Sequence, residues 1–363
     1  EFERPLGNST DFFRGKHANV LKITTDEGIS GFGEFFGVWE SYYEQLKDFL
    51  PCMVGVSLAS WEHVERALRS FLDGILPPCE RRSIESAFNL AYWDIRGKAS
   101  QKSVLELWGG TAAPRQVPVY GTGCFYRVVD RCEDQLSFFY EELQEYVNRG
   151  YRGLKMKAGR YSVDEELSLV RAVRKELPES VELMVDINCG TWNAEQTARY
   201  AEQVEELGIS WLEEPFHPHE YDRYRELAEK TALPLAAGEH ETEMAGFERV
   251  VRSGVKIVQP ELSLCGGFAA AGPLIELAGR HSIGITPHVW GMGFLYAAAL
   301  QFYSLCGGDL LFEYPFLDDP LRDELFDGLK LKNGCLTVPA GPGWGVEWDE
   351  TVLRKYLVFL LSS

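Results

Sequence analysis

Residues 153–188 read GLKMKAGRYSVDEELSLVRAVRKELPESVELMVDIN and contain two apolar runs separated by a helical pattern. The runs Gly153–Lys157 and Leu183–Asn188 are short and apolar, which predicts two buried strands. Between Leu167 and Leu177 apolar residues recur every three or four positions, which predicts an amphipathic helix. A strand, a helix and a second strand in so short a stretch indicate two parallel strands joined by a crossover helix.

This strand and helix unit repeats along most of the chain. Eight strands are predicted, at Val117–Gly121, Gly153–Lys157, Leu183–Asn188, Trp211–Glu214, Leu235–Glu239, Lys256–Glu261, Gly284–His288 and Leu310–Glu313. Eight alternations of strand and helix indicate a (β/α)₈-type α/β barrel, and a doubly wound sheet is the alternative. No strand is followed by the glycine-rich phosphate-binding patterns of doubly wound sheets, so the barrel is favoured.

The first 115 residues follow a different pattern. The segment HANVLKITTDEGISGFGE, residues 17–34, alternates around a Thr-Asp-Glu-Gly turn and predicts a β-hairpin, which several helices follow. We therefore expect a small α+β domain over residues 1–115 and the barrel over residues 116–328. The tail, from about 329 to 363, predicts short strands and turns that pack back on the first domain.

Composition and charge limit the function classes. Of 363 residues, 45% are apolar and 25% are charged, as in ordinary globular enzymes. The net charge of −19 opposes binding to nucleic acid and to anionic membranes. Because neither a membrane-spanning apolar run nor a basic leader is found and the eight cysteines are scattered, we expect a cytoplasmic protein with reduced thiols.

Three acidic residues end three consecutive predicted strands: Asp186, Glu213 and Glu239. In a barrel the chemistry lies at the carboxyl ends of the strands, and neighbouring strands are about 4.8 Å apart, so these carboxylates converge. A single acidic residue there is usually a cap or an ion-pair partner. Three together favour a divalent cation, and oxygen ligands suit Mg²⁺, with Mn²⁺ as a possible substitute.

Two lysines, Lys155 and Lys157, lie on the strand before these carboxylates. Because side chains alternate along a strand, both amines point to the same face. A structural ion pair explains one lysine, but two amines beside a cation repel each other, which lowers an amine pKa. A neutral lysine is a general base.

Further candidates lie on the remaining strand ends. His288 ends the seventh strand and Glu261 the sixth, and a carboxylate on one imidazole nitrogen fixes the tautomer of a second acid or base. Glu313, at the end of the eighth strand, is a candidate for binding an enolate or substrate, with a structural role as the alternative. Asn188, two residues after Asp186, is a further candidate for binding substrate.

The other histidines near the strand ends are weaker candidates. His217 and His219 flank a proline, which indicates a surface turn more than a second metal site. His240 follows a predicted metal ligand, so we place it at the lining of the pocket.

The motifs GLKMKAG, MVDINCGTWN, WLEEPF, LAAGEHE, QPELSLCGG and PHVWGMGF, in this order, resemble the enolase superfamily and its mandelate racemase subgroup. The hairpin segment and SAFNLAYWDIRGKA resemble the capping domain of that superfamily, so the resemblance covers nearly the whole chain. It implies a modified TIM barrel, (β/α)₇β, with an N-terminal capping domain. It also implies one Mg²⁺ held by Asp186, Glu213 and Glu239, and abstraction of the proton α to a carboxylate.

The resemblance implies roles for the basic residues. Lys157 matches the base, Lys155 the residue that steadies the substrate carboxylate, and His288 the base on the opposite face. The muconate lactonizing subgroup would place a lysine where this chain has Glu261, so the racemase-like subgroup is favoured. That subgroup usually pairs its histidine with aspartate, and Glu261 departs from the pattern.

The motifs QPELSLCGGF and PHVWGMGFLYAAALQF are most similar to those of enzymes that act on sugar acids and their lactones. We therefore expect a sugar-acid dehydratase or a lactone cycloisomerase with a small carboxylate as its partner, in a homo-oligomer. A racemase or epimerase on the same site is the enzymatic alternative. The non-enzymatic alternative is a binding or structural protein. Such a protein would lack a metal ligand or a base, and none is missing here.

Substrate choice is expected to come from two loops of the capping domain, Asn8–His17 and Phe35–Trp39, which would close over the barrel mouth. The candidates for contacts to the substrate are Phe12, Phe13, Arg14 and Trp39. A role in the core of the small domain is the alternative for the aromatic residues.

Overall fold

A computed structural model describes residues 2–37, 42–111, 115–317 and 319–362. Trp39, one of the predicted lid residues, lies outside the described residues. The strands are β1 (Leu6–Gly7), β2 (Phe12–Phe13), β3 (Asn19–Thr24), β4 (Ser30–Phe35), β5 (Gln116–Gly123), β6 (Gly153–Lys157), β7 (Glu182–Asp186), β8 (Leu212–Glu213), β9 (Leu235–Ala237), β10 (Ile257–Val258), β11 (Gly284–Ile285), β12 (Phe312–Glu313) and β13 (Cys335–Thr337).

The helices of the N-terminal part are α1 (Tyr43–Phe49), α2 (Trp61–Leu72), α3 (Pro78–Ser100) and α4 (Val104–Leu107). Those that follow are α5 (Gln135–Arg149), α6 (Val163–Glu176), α7 (Ala194–Glu205), α8 (Tyr221–Ala228), α9 (Met244–Arg252), α10 (Ala271–His281), α11 (Gly293–Leu305), α12 (Pro320–Asp323) and α13 (Glu350–Tyr356). Among the described residues, no helix combines the length and the apolar surface needed to cross a membrane.

Strands β5 to β12 form one parallel sheet in the order β12-β5-β6-β7-β8-β9-β10-β11. The last barrel strand thus returns to lie beside the first, as closure of a barrel requires. On the other side, the hydroxyl of Thr286, just after β11, donates to the carbonyl of Leu311, just before β12, at 2.8 Å. The predicted modified TIM barrel with an N-terminal capping domain is confirmed.

Local sequence signals set the helices that join these strands. At the start of α6, the Ser162 hydroxyl accepts from the Glu165 amide, while the Glu165 carboxylate accepts from the Ser162 amide at 3.0 Å. This reciprocal cap satisfies two amides that the first turn leaves unpaired. The helix then buries Leu167, Val170 and Val173 against the sheet, as their spacing predicts.

The register of the strands brings three ionisable residues side by side. Lys157 on β6 pairs with Asp186 on β7, and Asp186 pairs with Glu213 on β8. Because strands in register share one pleat, the three side chains leave the sheet at the same level. At the carboxyl end of the barrel, the amine of Lys157 and the carboxylates of Asp186 and Glu213 therefore form a row.

Several strands end earlier than predicted. The predicted strand ends Asn188 and Glu214 lie beyond β7 and β8 and have φ angles of 46° and 42°. A left-handed backbone cannot continue a sheet, so the chain turns into a loop there. Glu239, Glu261 and His288 likewise lie in loops after their strands, although a single bridge pairs Glu261 with His288.

The N-terminal domain packs the hairpin β3–β4 on helix α3. The predicted turn is present, with the Gly28 amide donating to the Thr25 carbonyl at 3.0 Å and a φ of 81° at Gly28. Gly33 on β4 lies so close to α3 that an added Cβ would be 1.9 Å from the Ala87 carbonyl oxygen. Any larger residue at position 33 would push the hairpin off the helix.

The C-terminal tail contacts both parts of the chain. Strand β13 pairs antiparallel with the first residues of β5, at the amino end of the barrel. Beyond it, the Trp344 amide donates to Asp94 on α3 at 2.9 Å, and its indole donates to the Phe32 carbonyl at 3.1 Å. The tail thus fastens α3 and the hairpin to the barrel, and the domain limits of the sequence analysis stay predictions.

Candidate active site

The two lysines of β6 meet the carboxylates of the neighbouring strands. Lys157 Nζ lies 2.6 Å from Asp186 Oδ2, and Lys155 Nζ lies 3.9 Å from the same oxygen. Lys155 also bonds Glu213 Oε1 and lies 3.0 Å from Glu313 Oε1. Both amines therefore face one buried cluster, as the alternation of the strand predicts.

Lys155 is the more deeply placed of the two, with 1% of its side chain exposed. Burial alone lowers the pKa of its amine, but the carboxylates of Glu213 and Glu313 outweigh burial and raise that pKa well above its usual range. These carboxylates therefore favour the charged form of the Lys155 amine. Lys157 remains the candidate for the base.

Glu213 is fully buried and lies at the centre of the cluster. One of its oxygens accepts from the Trp211 indole at 3.0 Å and from the Gln259 amide at 2.6 Å. Burial raises the pKa of this carboxyl to about 7, and the neighbouring carboxylates of Asp186 and Glu313 add to the effect against Lys155. Both oxygens of Glu213 are thus bonded by donors of the protein, one by Lys155 and the other by Trp211 and Gln259.

Glu313, at the end of β12, is held in the opposite electrostatic state. Although burial raises its pKa, Lys155 and His288 outweigh burial and lower the pKa to about 2. The Thr122 hydroxyl donates to one carboxylate oxygen, and the Val289 amide donates to the other at 3.0 Å. Both oxygens of Glu313 are thus bonded within the protein, and its predicted role in binding an enolate or substrate stays a prediction beside the structural alternative.

His288 faces the carboxylates from the far side of the barrel. Its Nδ1 lies 2.9 Å from Glu261 Oε2, and its Nε2 lies 3.7 Å from Glu239 Oε2. Ser263 holds the other oxygen of Glu261 through its amide at 2.9 Å and its hydroxyl at 2.8 Å. Burial lowers the pKa of His288, but Glu239 and Glu261 outweigh burial and raise it to about 10, which makes the ring a cation.

The donor set fits a hard divalent cation. The three candidate ligands, Asp186, Glu213 and Glu239, are carboxylates, and oxygen donors are what Mg²⁺ prefers. Their oxygens do not all lie within 4.8 Å of one another, because the group of potential ligands that meets this distance among the described residues is Cys189, Glu214 and His240. The predicted convergence of the three carboxylates on one point therefore stays a prediction. Asn188 Oδ1 and Gln259 Oε1 are buried acceptors without a donor among the described residues.

The N-terminal segment covers the mouth of the barrel, where the first predicted lid loop was placed. The Phe13 ring packs edge-on against Phe125 at 5.8 Å and Trp290 at 6.1 Å, and Lys157 Nζ lies 5.4 Å from the Phe125 ring centre. The Ser9 hydroxyl donates to the Asn188 carbonyl at 3.1 Å.

The other two lid candidates lie further out. Phe12 stacks under the Arg160 guanidinium at 4.0 Å, away from the amine of Lys157. The side chain of Arg14 is exposed. Of the lid candidates within the described residues, Phe13 is the one in contact with rings that border the active-site side chains.

Sequence reasoning missed several residues that shape the site. Gln259 and Trp211 bond Glu213, and the neighbouring rings of Phe125 and Trp290 both contact Phe13. Gln259 carried a usable signal, because it precedes Glu261 by two positions in an otherwise apolar strand. The aromatic residues carried none, since isolated rings in a barrel sequence are usually core.

Family models match both halves of the chain. A model described as "Enolase C-terminal domain-like" matches residues 139–352, and one described as "Mandelate racemase / muconate lactonizing enzyme, N-terminal domain" matches residues 3–109. Together they cover more than half of the chain.

Relatives of known activity are similar over most of their length. The D-galactarolactone cycloisomerase of Agrobacterium fabrum is 30% identical over 96% of this chain and 93% of its own. The arabinonate dehydratase of Saccharolobus solfataricus is 29% identical over 75% of this chain and 71% of its own. A racemase from Streptomyces coelicolor, solved with bound magnesium, has the same fold, with a TM-score of 0.84, 22% identity and coverage of 98% and 96%.

Proposed function

The chain belongs to the mandelate racemase and muconate lactonizing enzyme family of the enolase superfamily, and on that premise we propose that it is a Mg²⁺-dependent enzyme of sugar-acid metabolism. It removes the proton α to a carboxylate and then expels a β-oxygen. The product is either the dehydrated acid or the isomer of a lactone.

One observation carries the proposal: each of the two candidate proton carriers contacts a different candidate metal ligand. Lys157 bonds Asp186, and His288 lies 3.7 Å from Glu239. A carbon acid bound between the two carriers would present one face to the amine and the other to the imidazole. An anti elimination uses this arrangement, because the proton leaves from one face and the protonated β-oxygen departs from the other.

The two proton carriers take different roles. Lys157 accepts the α-proton, and the electrons of the broken C–H bond move into the carboxylate as an enediolate. Those electrons then return to form the Cα–Cβ double bond while the Cβ–O bond breaks. His288, which is a cation, donates its proton to the departing oxygen, and Glu261 stabilises the charged ring before that transfer.

Asp186, Glu213 and Glu239 are the residues that would hold Mg²⁺. When bound, the ion supplies charge stabilisation for an enediolate oxygen, a contribution that grows as the C–H bond breaks. Lys155 keeps its positive charge beside Asp186 and Glu213 and steadies the second oxygen of the substrate carboxylate.

The substrate class follows from the polar groups around the row. Asn188 Oδ1 and Gln259 Oε1 are buried acceptors without donors among the described residues, and substrate hydroxyl groups are suitable donors for them. The similar D-galactarolactone cycloisomerase and arabinonate dehydratase are named for sugar lactones and sugar acids. A polyhydroxylated carboxylate of this kind fits the site.

A substrate panel tests the proposal. The protein is incubated with Mg²⁺ and with galactonate, gluconate, arabinonate and D-galactarolactone, and the products are followed by a 2-keto acid assay and proton NMR. We expect a 2-keto acid from one of the acids or isomerisation of the lactone. Absence of both products across the panel, with the protein folded and magnesium-bound, would contradict the proposed elimination.

The same geometry supports one second candidate function, racemisation or epimerisation. Lys157 and His288 on opposite sides of one carbon could remove a proton from one face and return it to the other. NMR in deuterium oxide separates the two functions. A racemase incorporates deuterium at Cα and keeps the Cβ–O bond, whereas the proposed enzyme breaks that bond.

A further inference from the structure

A second group of potential metal ligands lies next to the carboxylate row. Cys189, Glu214 and His240 each present one ligand atom, and the three atoms lie within 4.8 Å of one another. Within the group, Cys189 Sγ lies 3.1 Å from Glu214 Oε2. None of the three takes part in the proton transfers described above.

Successive loops of the barrel build this group. Cys189 follows β7, Glu214 directly follows β8 and His240 follows β9. The Cys189 amide donates to the Glu214 carbonyl at 2.8 Å, so the first two loops are joined by their backbones. Glu213 points into the barrel toward Lys155, whereas Glu214 bonds Cys189 and the Gly238 amide, the latter at 3.1 Å. The two adjacent carboxylates therefore serve two different clusters.

We propose that Cys189, Glu214 and His240 form a binding site for a thiophilic divalent cation such as Zn²⁺, separate from the all-carboxylate Mg²⁺ site. Thiolate, imidazole and carboxylate are the donors that Zn²⁺ takes in proteins, and three protein ligands plus water complete a tetrahedral shell. Mg²⁺ has little affinity for sulfur, so the donor sets separate the two ions. On binding, the thiol releases its proton to solvent and sulfur becomes the ligand.

The geometry is close to that of a zinc site. With metal–ligand bonds of about 2.0 to 2.3 Å, the ligand atoms of a tetrahedral ion lie roughly 3.5 Å apart. The Cys189–Glu214 pair is already that close, at 3.1 Å. His240 has to close the remaining gap; its side chain is 44% exposed on a loop, and its Nε2 lies 3.4 Å from Glu239 Oε1.

Two of the three ligands also border a small cavity. Glu214 and His240 line a cavity of about 10 Å³, whose wall also contains His219 and Tyr221. This volume is about what one water molecule requires.

Occupation of this site regulates the active site, a step that rests on the proposed function. Glu214 and His240 directly follow Glu213 and Glu239, two of the candidate Mg²⁺ ligands. An ion that draws the loops after β8 and β9 together changes the spacing of those ligands. We therefore expect Zn²⁺ to inhibit turnover in the presence of saturating Mg²⁺.

Cobalt spectroscopy tests the site without any substrate. Co²⁺ is titrated into the full-length protein in excess Mg²⁺, and the sulfur-to-cobalt charge-transfer absorption is recorded before Zn²⁺ is added as competitor. We expect one equivalent of Co²⁺ with this absorption, displaced by Zn²⁺. Cys189→Ser should abolish the absorption, and Cys189→Ser and His240→Gln should each weaken binding more than about tenfold.

Matched controls are available in the same chain. Cys52→Ser removes an exposed thiol elsewhere, and His219→Gln removes a histidine that lines the same cavity and is not in the ligand group. Both controls should bind Co²⁺ like the wild type. If Cys189→Ser fails to fold, His240→Gln provides the test, because the side chain of His240 is half-exposed.

Two results would overturn the site: no charge-transfer absorption in the wild type, or unchanged binding by the folded His240→Gln variant. Both readouts are independent of turnover, so failure of the sugar-acid assay leaves them unaffected. If the enzyme is active, Zn²⁺ inhibition should be at least about tenfold weaker in His240→Gln than in wild type. Equal inhibition of both proteins would contradict the regulatory step.

Discussion

The amine of Lys157 donates to Asp186 Oδ2 at 2.6 Å, so the candidate base and a candidate metal ligand are hydrogen-bonded partners on neighbouring strands. The candidate base and the candidate metal site thus share one carboxylate, that of Asp186. Substitutions of Asp186 and of Lys157 therefore test metal binding and proton transfer separately.

Asp186→Asn is expected to abolish tight Mg²⁺ binding. The amide keeps the shape of the side chain but removes one of three ligand charges, and charge count sets the affinity of oxygen-ligand sites. Calorimetric titration with Mg²⁺ should show affinity reduced by more than about tenfold. The exposed Asp164→Asn is the control and should bind as the wild type does. Unchanged affinity in Asp186→Asn would remove the assignment of this residue as a ligand.

Lys157→Met is expected to stop catalysis and to spare metal binding. The substitution keeps the length of the side chain but removes the proton acceptor, and general base catalysis is worth about 10²- to 10⁴-fold in rate. Turnover should fall by that factor while the calorimetric Mg²⁺ affinity is retained. Lys330→Met, at a lysine whose side chain is 64% exposed, controls for loss of a charge. Turnover within a few-fold of wild type would rule out Lys157 as the base.

His288→Gln is expected to divide the reaction into its two proton transfers. Without the acid, the β-oxygen leaves slowly, but Lys157 still removes the α-proton from the opposite side. NMR in deuterium oxide should therefore show exchange at Cα in the variant, with product formation lowered by about 10²-fold or more. Loss of both exchange and product would assign His288 to the first step instead.

Glu34 on β4 provides a pH-dependent link between the two domains. Its carboxylate accepts from the amides of Met292 at 2.6 Å and Leu295 at 2.7 Å, at the start of α11. Burial raises the pKa of this carboxyl to about 7 from an ordinary value of 4.5. The folded state therefore binds more protons than the unfolded chain between these values, so this contribution is complete below about pH 4.5 and is lost as the pH rises through 7.

Comparison of Glu34→Gln with wild type isolates this effect. In urea unfolding, the free energy of unfolding of the variant relative to wild type should rise between about pH 5 and pH 8, by up to roughly 3 kcal/mol. Burial also raises the pKa of Glu166 to about 7. Because Glu166 titrates in both proteins, its contribution cancels in the difference between their free energies of unfolding. Parallel pH profiles for the two proteins would show that Glu34 does not titrate in this way.

The sequence predicted the strands of the barrel and the ionisable side chains near their carboxyl ends. Apolar runs located all eight strands, and the alternation of β6 correctly placed both lysines on one face. The limits of the strands were less predictable. Asn188 and Glu214 adopt left-handed backbone, a state that their residue types permit but do not require.

Contacts between distant segments could not be predicted from the sequence. Glu34 looks like a solvent-facing charge in a hairpin, yet it is buried against α11, which lies far along the chain. The charged state of Lys155 depends on Glu313 on β12, which only closure of the barrel brings within 3.0 Å. Such relationships follow from tertiary packing and leave no local pattern.

The central claim, removal of an α-proton with Mg²⁺, is tested most directly with a substrate deuterated at that carbon. The label is placed on the member of the sugar-acid panel that the enzyme converts, and its fate is followed by NMR and mass spectrometry in ordinary water. We predict that the product loses the α-deuterium to solvent, with a primary isotope effect, and that loss requires both Mg²⁺ and Lys157. Product that retains the α-deuterium, or that forms equally fast without Mg²⁺, would contradict the account.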